Sequence, residues 1–143
     1  MNESPTNPYP APRETAINRP MLEAWREGVL ALQRCADCGA IFFIARSLCP
    51  RCWSAALAWL RSDGRGRIVS WSQIHRGLPA AFTAEAPITL AEIEVTEGAT
   101  LLARVVCDRL QSVTTGSAVE LMRLPDALRY PLPTFVMTTE RSR

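Results

Sequence analysis

Residues 35–53 read CADCGAIFFIARSLCPRCW and decide the fold of the first part of the chain. Two Cys-x-x-Cys pairs, Cys35 with Cys38 and Cys49 with Cys52, stand ten residues apart. A Cys-x-x-Cys turn points backbone N–H groups at its sulfurs and lets both thiolates reach one ion. Two such turns complete a tetrahedron, so the spacing predicts a zinc ribbon with these four cysteines as ligands.

The chemistry of four thiolates indicates a structural role for the metal. Catalytic zinc keeps an open position for water, whereas a site closed by four sulfurs has none. The ion would fold a segment too small to bury a sufficient core of its own. A redox pair is disfavoured because no thioredoxin-like βαβ pattern surrounds the cysteines. Iron uses the same ligand set in rubredoxin and stays open as an alternative.

Composition bounds the class of protein. The chain has 143 residues, 48% hydrophobic and 21% charged, with a net charge of +2. This favours one globular domain or two very small ones and gives no basic field over the whole molecule. No apolar run approaches the ~18–20 residues of a membrane span. The first residues, MNESPTNPYPAPRET, lack the apolar core of a secretory signal, so we expect a cytoplasmic protein.

The first 61 residues are predicted to form an arm, a helix and the ribbon. Residues 1–17 are rich in Pro, Asn, Ser and Thr, which predicts an extended arm, mobile or laid against a partner. Pro20 and Gly28 bound a short helix over about 19–27. Its apolar face, with Met21, Leu22 and Trp25, would pack on the ribbon or on a partner subunit. Strands over 29–35 and 57–62 enter and leave the cysteine pairs, so 18–61 form the helix and ribbon unit.

The remainder, residues 62–143, is predicted to be all β. Apolar and polar residues alternate in five segments separated by turn signals: 67–76, 88–95, 100–107, 119–124 and 134–139. Five strands with short turns and one longer loop are typical of a small closed barrel of the OB type. The predicted fold class is therefore mainly β, with a short N-terminal helix, a zinc ribbon and a C-terminal five-stranded OB-fold barrel.

The order of these parts resembles a family of small proteins associated with acyl-CoA metabolism, built from a rubredoxin-like zinc ribbon and an OB fold. The resemblance covers residues 18–139 and is carried by RPMLEAWREGVLALQRCADCGAIFF, LCPRCW, GRGRIVSWSQIH, APITLAEIEVTEGATLLARVV and TTGSAVEL. It implies an accessory subunit that associates with a thiolase-fold enzyme or a hot-dog-fold enoyl-CoA hydratase. The OB domain would bind or pass on acyl-CoA, and the partner would carry the catalytic residues. All four ribbon ligands match, but no CoA-binding residue can be carried over.

The residues themselves agree with a non-catalytic role. We find no nucleophile–base pair, no Gly-rich phosphate loop and no unusual pair of carboxylates, so no catalytic residue is predicted. Cys107 ends an apolar strand and is expected to be a buried, inert thiol. His75, the single histidine, is expected to be a strand residue on the face shared with Trp71. Glu92 and Glu94 alternate with apolar positions and predict a solvated strand face.

A local concentration of arginine gives the sharpest ligand hypothesis. Four arginines are predicted to cluster at the junction of ribbon and barrel: Arg61, Arg65, Arg67 and Arg76. Guanidinium binds phosphate bidentately, and coenzyme A carries a 3′-phosphate and a pyrophosphate. We therefore hypothesise that the cluster holds the nucleotide end of an acyl-CoA; the alternative is a solvated turn.

Two other classes of function are compatible with these parts. Zinc ribbons and OB folds also occur in single-stranded nucleic-acid-binding proteins, which stack bases on aromatics in a basic groove. Candidate aromatics are Phe42, Phe43, Trp53, Trp59 and Trp71. Trp59 and Phe42 lie in apolar runs and are expected to be core, and the near-neutral charge argues against this alternative. An independent enzyme is disfavoured because no catalytic set is visible.

Overall fold

The computed structural model of the chain describes residues 7–107 and 113–138. A helix, α1 (Arg19–Arg26), precedes a three-stranded antiparallel sheet in the order β2-β1-β3, built from β1 (Ala31–Cys35), β2 (Ile41–Phe42) and β3 (Leu57–Arg61). A closed barrel follows in the order β4-β5-β6-β8-β7, built from β4 (Arg65–Ile74), β5 (Ile88–Val95), β6 (Thr100–Val106), β7 (Ala118–Leu121) and β8 (Thr134–Met137). The predicted mainly β class with a short helix and a five-stranded barrel is confirmed.

Helix α1 buries one face against the C-terminal part of the chain. Trp25 is 3% exposed and packs with Met122, Ala127 and Tyr130. Its indole Nε1 donates a hydrogen bond of 2.7 Å to the carbonyl of Tyr130. The helix therefore contacts the segment after β7 as well as β1 of the ribbon, so the predicted packing on the ribbon holds in part. Neither α1, which has eight residues, nor any other helix in the described part of the chain is long and apolar enough to cross a membrane.

The described part of the N-terminal arm lies on its own chain. Tyr9 is buried, and its ring lies 5.2 Å from that of Phe82 and 5.4 Å from that of Tyr130. The Asn7 side chain donates a hydrogen bond to the carbonyl of Arg129. The arm was expected to be mobile or to lie on a partner; at Tyr9 it is instead anchored by aromatic packing. Residues 1–6 of the predicted arm lie outside the described residues.

The ribbon sheet and the barrel share one apolar core. Leu30 and Leu32, from the start of the ribbon, are fully buried in the cluster that also contains Ile68, Ile93 and Phe135 of the barrel. The link between them is held by a carboxylate, because Glu97 accepts hydrogen bonds from the Ser62 hydroxyl and the Asp63 N–H. A change that destabilises the ribbon should therefore also lower the stability of the barrel.

Strand β4 closes the barrel at Gly66. This residue pairs with Val95 of β5 on one side and Val119 of β7 on the other. Beyond an irregularity between Ile68 and Ser70, β4 continues to Ile74 with only β5 as partner. The barrel is therefore sealed over a short stretch at the beginning of β4.

We expect Gly66→Ala to destabilise the chain by about 1–3 kcal/mol, the typical cost of overpacking a close-packed site. A Cβ at this position would lie 2.8 Å from the Glu94 carbonyl oxygen and 2.8 Å from Ile93 Cγ2. Urea denaturation measures the effect, with Gly98→Ala as a comparison in open space, where strain arises from the positive φ of 96° alone. A Gly66→Ala protein as stable as the wild type would contradict the close approach.

Candidate functional site

The structure brings the four predicted cysteines together at one end of the ribbon. The Sγ atoms of Cys35 and Cys52 lie 3.5 Å apart, and those of Cys38 and Cys49 lie 3.6 Å apart. All four sulfurs lie within 4.8 Å of one another. A tetrahedral ion with metal–sulfur bonds of about 2.3 Å requires sulfur–sulfur distances of about 3.8 Å. The arrangement therefore fits one tetrahedral metal ion.

The two cysteine turns have the same backbone geometry. Gly39 N–H donates to the Cys35 carbonyl and Trp53 N–H to the Cys49 carbonyl, each at 3.0 Å. Gly39 has φ 76° and Trp53 has φ 66°, so both residues after the second cysteine are left-handed. Glycine adopts this conformation without steric cost, but tryptophan does not. The sequence indicated the first turn through its glycine and gave no sign of strain in the second.

The pKa values of two thiols move in opposite directions, because backbone N–H groups dominate at Cys35 whereas burial and the other sulfurs dominate at Cys52. Backbone N–H groups, first that of Cys38 and then that of Asp37, lower the pKa of Cys35 to about 6 despite its burial. The N–H of Ser54 lowers the pKa of Cys52, but burial and the neighbouring cysteine sulfurs raise it more, to about 12. Like charges at this separation oppose joint ionisation. A cation bound among the four sulfurs would offset this repulsion, as a structural metal does.

Two of the four predicted arginines line one cavity. Arg61 ends β3 and Arg65 begins β4, and both line a cavity of about 540 Å³ where ribbon and barrel meet. Its other charged lining residues are Arg123, Glu27, Asp63 and Glu120. Three arginines and three acidic residues line it, so the cavity combines groups that can bind phosphate with a balanced charge.

The other two arginines lie elsewhere. Arg67 donates a hydrogen bond of 3.0 Å from Nη1 to the Gly116 carbonyl. Arg76 follows the far end of β4, whose ten residues span about 30 Å at the usual rise of a strand. The prediction that Arg76 belongs to the junction cluster is wrong, because neighbours in sequence separate quickly along an extended strand.

Within residues 7–107 and 113–138, the close ring pairs join Tyr9 to Phe82 and to Tyr130 and include none of the candidate aromatics. Phe42 is buried as predicted, but Trp59 is 40% exposed, which corrects the expectation that it is core. Leu60, its neighbour on β3, pairs with the buried Leu32, so Trp59 takes the opposite face of the sheet. Trp53 and Trp71 are also exposed, but Trp53, Trp59 and Trp71 lie on a cysteine turn, β3 and β4 respectively. No stacked platform of the kind that single-strand binding uses is therefore seen among the described residues.

Neither of the remaining nucleophile or base candidates has a catalytic setting. His75 is exposed and lies just beyond the end of β4, which corrects its prediction as a strand residue. Cys107 is partly buried, and its burial raises the pKa of the thiol, which lowers its reactivity. Within residues 7–107 and 113–138, no hydrogen bond joins either side chain to an acidic partner.

A polar hub that sequence reasoning missed centres on Glu85. Its carboxylate accepts hydrogen bonds from Tyr9 and Tyr130 and ion-pairs with Arg104 at 3.3 Å and Arg129 at 3.1 Å. The Arg104 guanidinium also lies 4.8 Å from the centre of the Tyr130 ring. The hub joins the arm, β6 and the segment after β7, and its partners are too distant in sequence for any local pattern to reveal.

We expect Glu85→Gln to lower stability at pH 7 by about 1.5–3 kcal/mol, the range for hydrogen bonds to a charged group. Burial raises the pKa of Glu85, but the Tyr9 hydroxyl and Arg104 lower it more, so the net shift is downward. A depressed pKa contributes stability that is present above the ordinary value of 4.5 and is lost as pH falls through the folded-state pKa. Urea titrations at pH 7 and pH 3.5 should show the gap between wild type and variant narrowing in acid; a constant gap would contradict this.

Two family models together match most of the chain. The model described as the rubredoxin-like zinc ribbon domain of ChsH2 matches residues 22–58. The model described as the C-terminal OB-fold domain of ChsH2 matches residues 59–123. The boundary between the matches falls within β3, close to the junction cavity.

Individual relatives show the same two parts. A DUF35 domain-containing scaffold protein of Methanocaldococcus jannaschii is 32% identical over 88 residues, which are 61% of this chain and 62% of that protein. A probable enoyl-CoA hydratase alpha subunit of Thermomonospora curvata is 31% identical over 123 residues, 84% of this chain but 38% of that protein. Among solved structures, the Ltp2-ChsH2(DUF35) aldolase matches with a TM-score of 0.73 and 28% identity, covering 88% of this chain and 98% of that chain.

Proposed function

Since this chain belongs to the DUF35 family of ChsH2-like zinc-ribbon and OB-fold proteins, we propose that it is a non-catalytic accessory subunit of a thiolase-like, acyl-CoA-processing enzyme. The observation that carries the proposal is the match to the DUF35 chain of an aldolase complex over 98% of that chain. The relative in Methanocaldococcus jannaschii, named a scaffold protein, supports the non-catalytic role.

The proposed metal is a structural Zn²⁺ held by Cys35, Cys38, Cys49 and Cys52. The sulfur distances and the fit of the four thiols to one tetrahedral ion support this assignment. Iron would fit the same tetrahedron, so the identity of the ion is measured by elemental analysis of protein purified without added metal. One equivalent of zinc in a colourless protein is expected; one equivalent of iron with the visible absorption of a ferric thiolate centre would replace zinc in the proposal.

The accessory role is tested by reconstitution. The chain would be co-expressed with each thiolase-like and each hydratase-like protein of the same organism, and complexes would be sized by light scattering. We expect a stable, stoichiometric complex with a thiolase-like protein and higher turnover of acyl-CoA in the complex than in the enzyme alone. A hydratase-like partner in its place would change the reaction class, and no complex with either class would overturn the proposal.

We further propose that the junction cavity contacts the phosphates of the acyl-CoA through Arg61 and Arg65. Their position on one cavity supports this, and the balanced charge there implies weak binding by the isolated chain. In the reconstituted complex, the double variant Arg61→Ala with Arg65→Ala should bind acyl-CoA about tenfold more weakly, about 1.4 kcal/mol. Arg76→Ala, at the far end of β4, is the matched control. If both variants and the wild type bound acyl-CoA with equal affinity, the cavity would not be a contact site for its phosphates.

A further inference from the structure

A cavity of about 540 Å³ lies at one rim of the barrel, and we name it the rim cavity. Its lining comes from the end of β4 at Gln73, the start of β5 at Ile88, the end of β6 at Val106, the short helix Ala80–Glu85, and Tyr130 after β7. None of its lining residues also lines the junction cavity. Its volume lies in the range of about 300–1,000 Å³ that is usual for small-molecule sites, which often occur in the mouths of barrels.

The rim cavity carries more positive than negative charge. Arg104 and Arg129 line it together with a single acidic residue, Glu85. Both guanidinium groups ion-pair with the same carboxylate oxygen, Oε1 of Glu85, at 3.3 Å and 3.1 Å. One carboxylate cannot neutralise two guanidinium groups, so one positive charge remains. Because the Arg104 side chain is only 16% exposed, water and salt screen its charge less than they would on an open surface.

The Arg104 guanidinium also has an unused donor. Its Nη2 donates to Glu85, but its Nη1 is buried and has no hydrogen-bond partner among the residues that the structure describes. The Tyr130 ring lies with its centre 4.8 Å from the guanidinium carbon, and this contact attracts the charge without supplying an acceptor lone pair. A buried donor without an acceptor is costly, so native proteins rarely keep one unless a bound molecule or ion supplies the acceptor.

The rest of the lining is neutral and mainly apolar. Gln73, Thr89 and Val105 lie side by side in register across β4, β5 and β6, and Val105 belongs to the barrel core. The Thr89 hydroxyl is buried and accepts a long hydrogen bond of 3.4 Å from Gln73 Nε2. Pro87 and Ile88 extend the apolar surface. The cavity therefore joins a positively charged side to an apolar side.

We propose that the rim cavity binds a small organic monocarboxylate, whose carboxylate pairs with Arg104 and Arg129 and whose short alkyl chain lies along Pro87, Ile88 and Val105. The single surplus positive charge matches a monoanion, and guanidinium binds carboxylates with strong, directed hydrogen bonds. The apolar side favours a ligand with an alkyl chain over an inorganic anion. The inference goes beyond the proposed accessory function and does not depend on it, because it concerns the chain without a partner.

The test is calorimetric titration of the full chain, purified with its metal, with three six-carbon probes and one inorganic anion: hexanoate, 1-hexanol, hexylamine and phosphate. We expect hexanoate to bind with a Kd on the order of 1 mM, as is reasonable for so small a ligand, and the other three to bind at least about tenfold more weakly. From butanoate to hexanoate, each added CH₂ should tighten binding by up to about fourfold, because it buries more apolar surface.

Two variants test the positively charged side. Arg104→Gln should weaken hexanoate binding at least about tenfold. Because this change also affects the Glu85 hub, Arg129→Gln is the second variant; it leaves the pair of Arg104 and Glu85 in place and should weaken binding by a smaller factor, since Arg129 is 62% exposed. The matched control is Arg34→Gln, which removes an exposed arginine of β1 outside the rim cavity and should leave the Kd unchanged.

Cys107 provides a readout that needs no variant, because it also lines the rim cavity. Saturating hexanoate should slow the alkylation of Cys107 by iodoacetamide several-fold, as measured by mass spectrometry of peptides, and 1-hexanol at the same concentration should not. The four cysteines of the metal cluster lie elsewhere and serve as the internal reference, since their labelling should not respond to hexanoate.

Four outcomes would overturn the carboxylate site. The absence of hexanoate binding would do so directly, and equal binding of hexanoate and 1-hexanol would show that the guanidinium groups do not recognise the carboxylate. Tighter binding of phosphate than of hexanoate would assign the cavity to an inorganic anion. Hexanoate binding that leaves Cys107 labelling unchanged and persists in both arginine variants would place the ligand elsewhere on the chain. None of these results bears on complex formation with a thiolase-like protein, which the reconstitution measures separately.

Discussion

Replacing Cys49 with serine is expected to release the metal and unfold the ribbon. A hydroxyl is a poor substitute for a thiolate, and the three remaining sulfurs would face the ion with an incomplete tetrahedron. Structural zinc contributes about 10–16 kcal/mol to small metal-dependent folds, against a total stability of about 5–15 kcal/mol for an ordinary domain. The ribbon sheet has only three strands, one of them two residues long, so it cannot replace that contribution with packing.

The matched control is Cys107→Ser, because the fifth cysteine lies outside the cluster of four. Elemental analysis should give no bound metal for Cys49→Ser and one equivalent for Cys107→Ser. Thermal unfolding should show a lower Tm for the first variant and little change for the second. Equal metal content in both variants would mean that the cluster does not bind the ion through Cys49.

The loss should extend beyond the ribbon. Leu30 and Leu32 sit in the barrel core, and Ser62 N–H binds the Leu30 carbonyl at the link between the two parts. Removal of the metal with a chelator should therefore lower the stability of the barrel as well. A barrel that unfolds at the same urea concentration with and without metal would show that the shared core is not coupled to the site.

The patterns that predicted the fold are local and periodic. Alternation in ITLAEIEV predicted strand β5, and the structure buries Ala91, Ile93 and Val95 while it exposes Glu92 and Glu94 between them. The cysteine spacing predicted the metal cluster for the same reason, because a short turn fixes the distance between its two thiols. Both are properties of a few consecutive residues and need no knowledge of the rest of the chain.

The features that the sequence did not reveal depend on long-range contacts. The Glu85 carboxylate reaches Tyr9, which is 76 residues away in the chain. Trp59 is exposed because its sheet has one face toward the barrel, which alternation alone cannot identify. Arg76 left the predicted cluster because β4 is longer than the other strands of the barrel. In each case the missing information is which face of an element is covered, and by what.

Trp25 is another residue whose contacts lie far away in the sequence. Its replacement should also lower the stability of the chain by a large amount. Trp25→Ala is expected to cost about 3–5 kcal/mol, the usual range for emptying a large aromatic site. The indole fills the space among Met122, Ala127 and Tyr130, and its Nε1 is the donor to the Tyr130 carbonyl. Because Tyr130 in turn packs on Tyr9, the variant should also release the arm. Urea denaturation measures the first effect, and limited proteolysis near residue 9 measures the second.

Trp25→Phe separates packing from the hydrogen bond. Phenylalanine keeps most of the apolar contact but leaves the Tyr130 carbonyl without its donor, so we expect a loss of about 1–3 kcal/mol. Both variants should retain one equivalent of metal, because Trp25 packs with the segment after β7 rather than with the cysteine cluster. If Trp25→Ala lost its metal, the packing of the helix would be coupled to metal binding by the ribbon. If it were as stable as the wild type, the α1 face would not be part of the core and would instead be open to a partner.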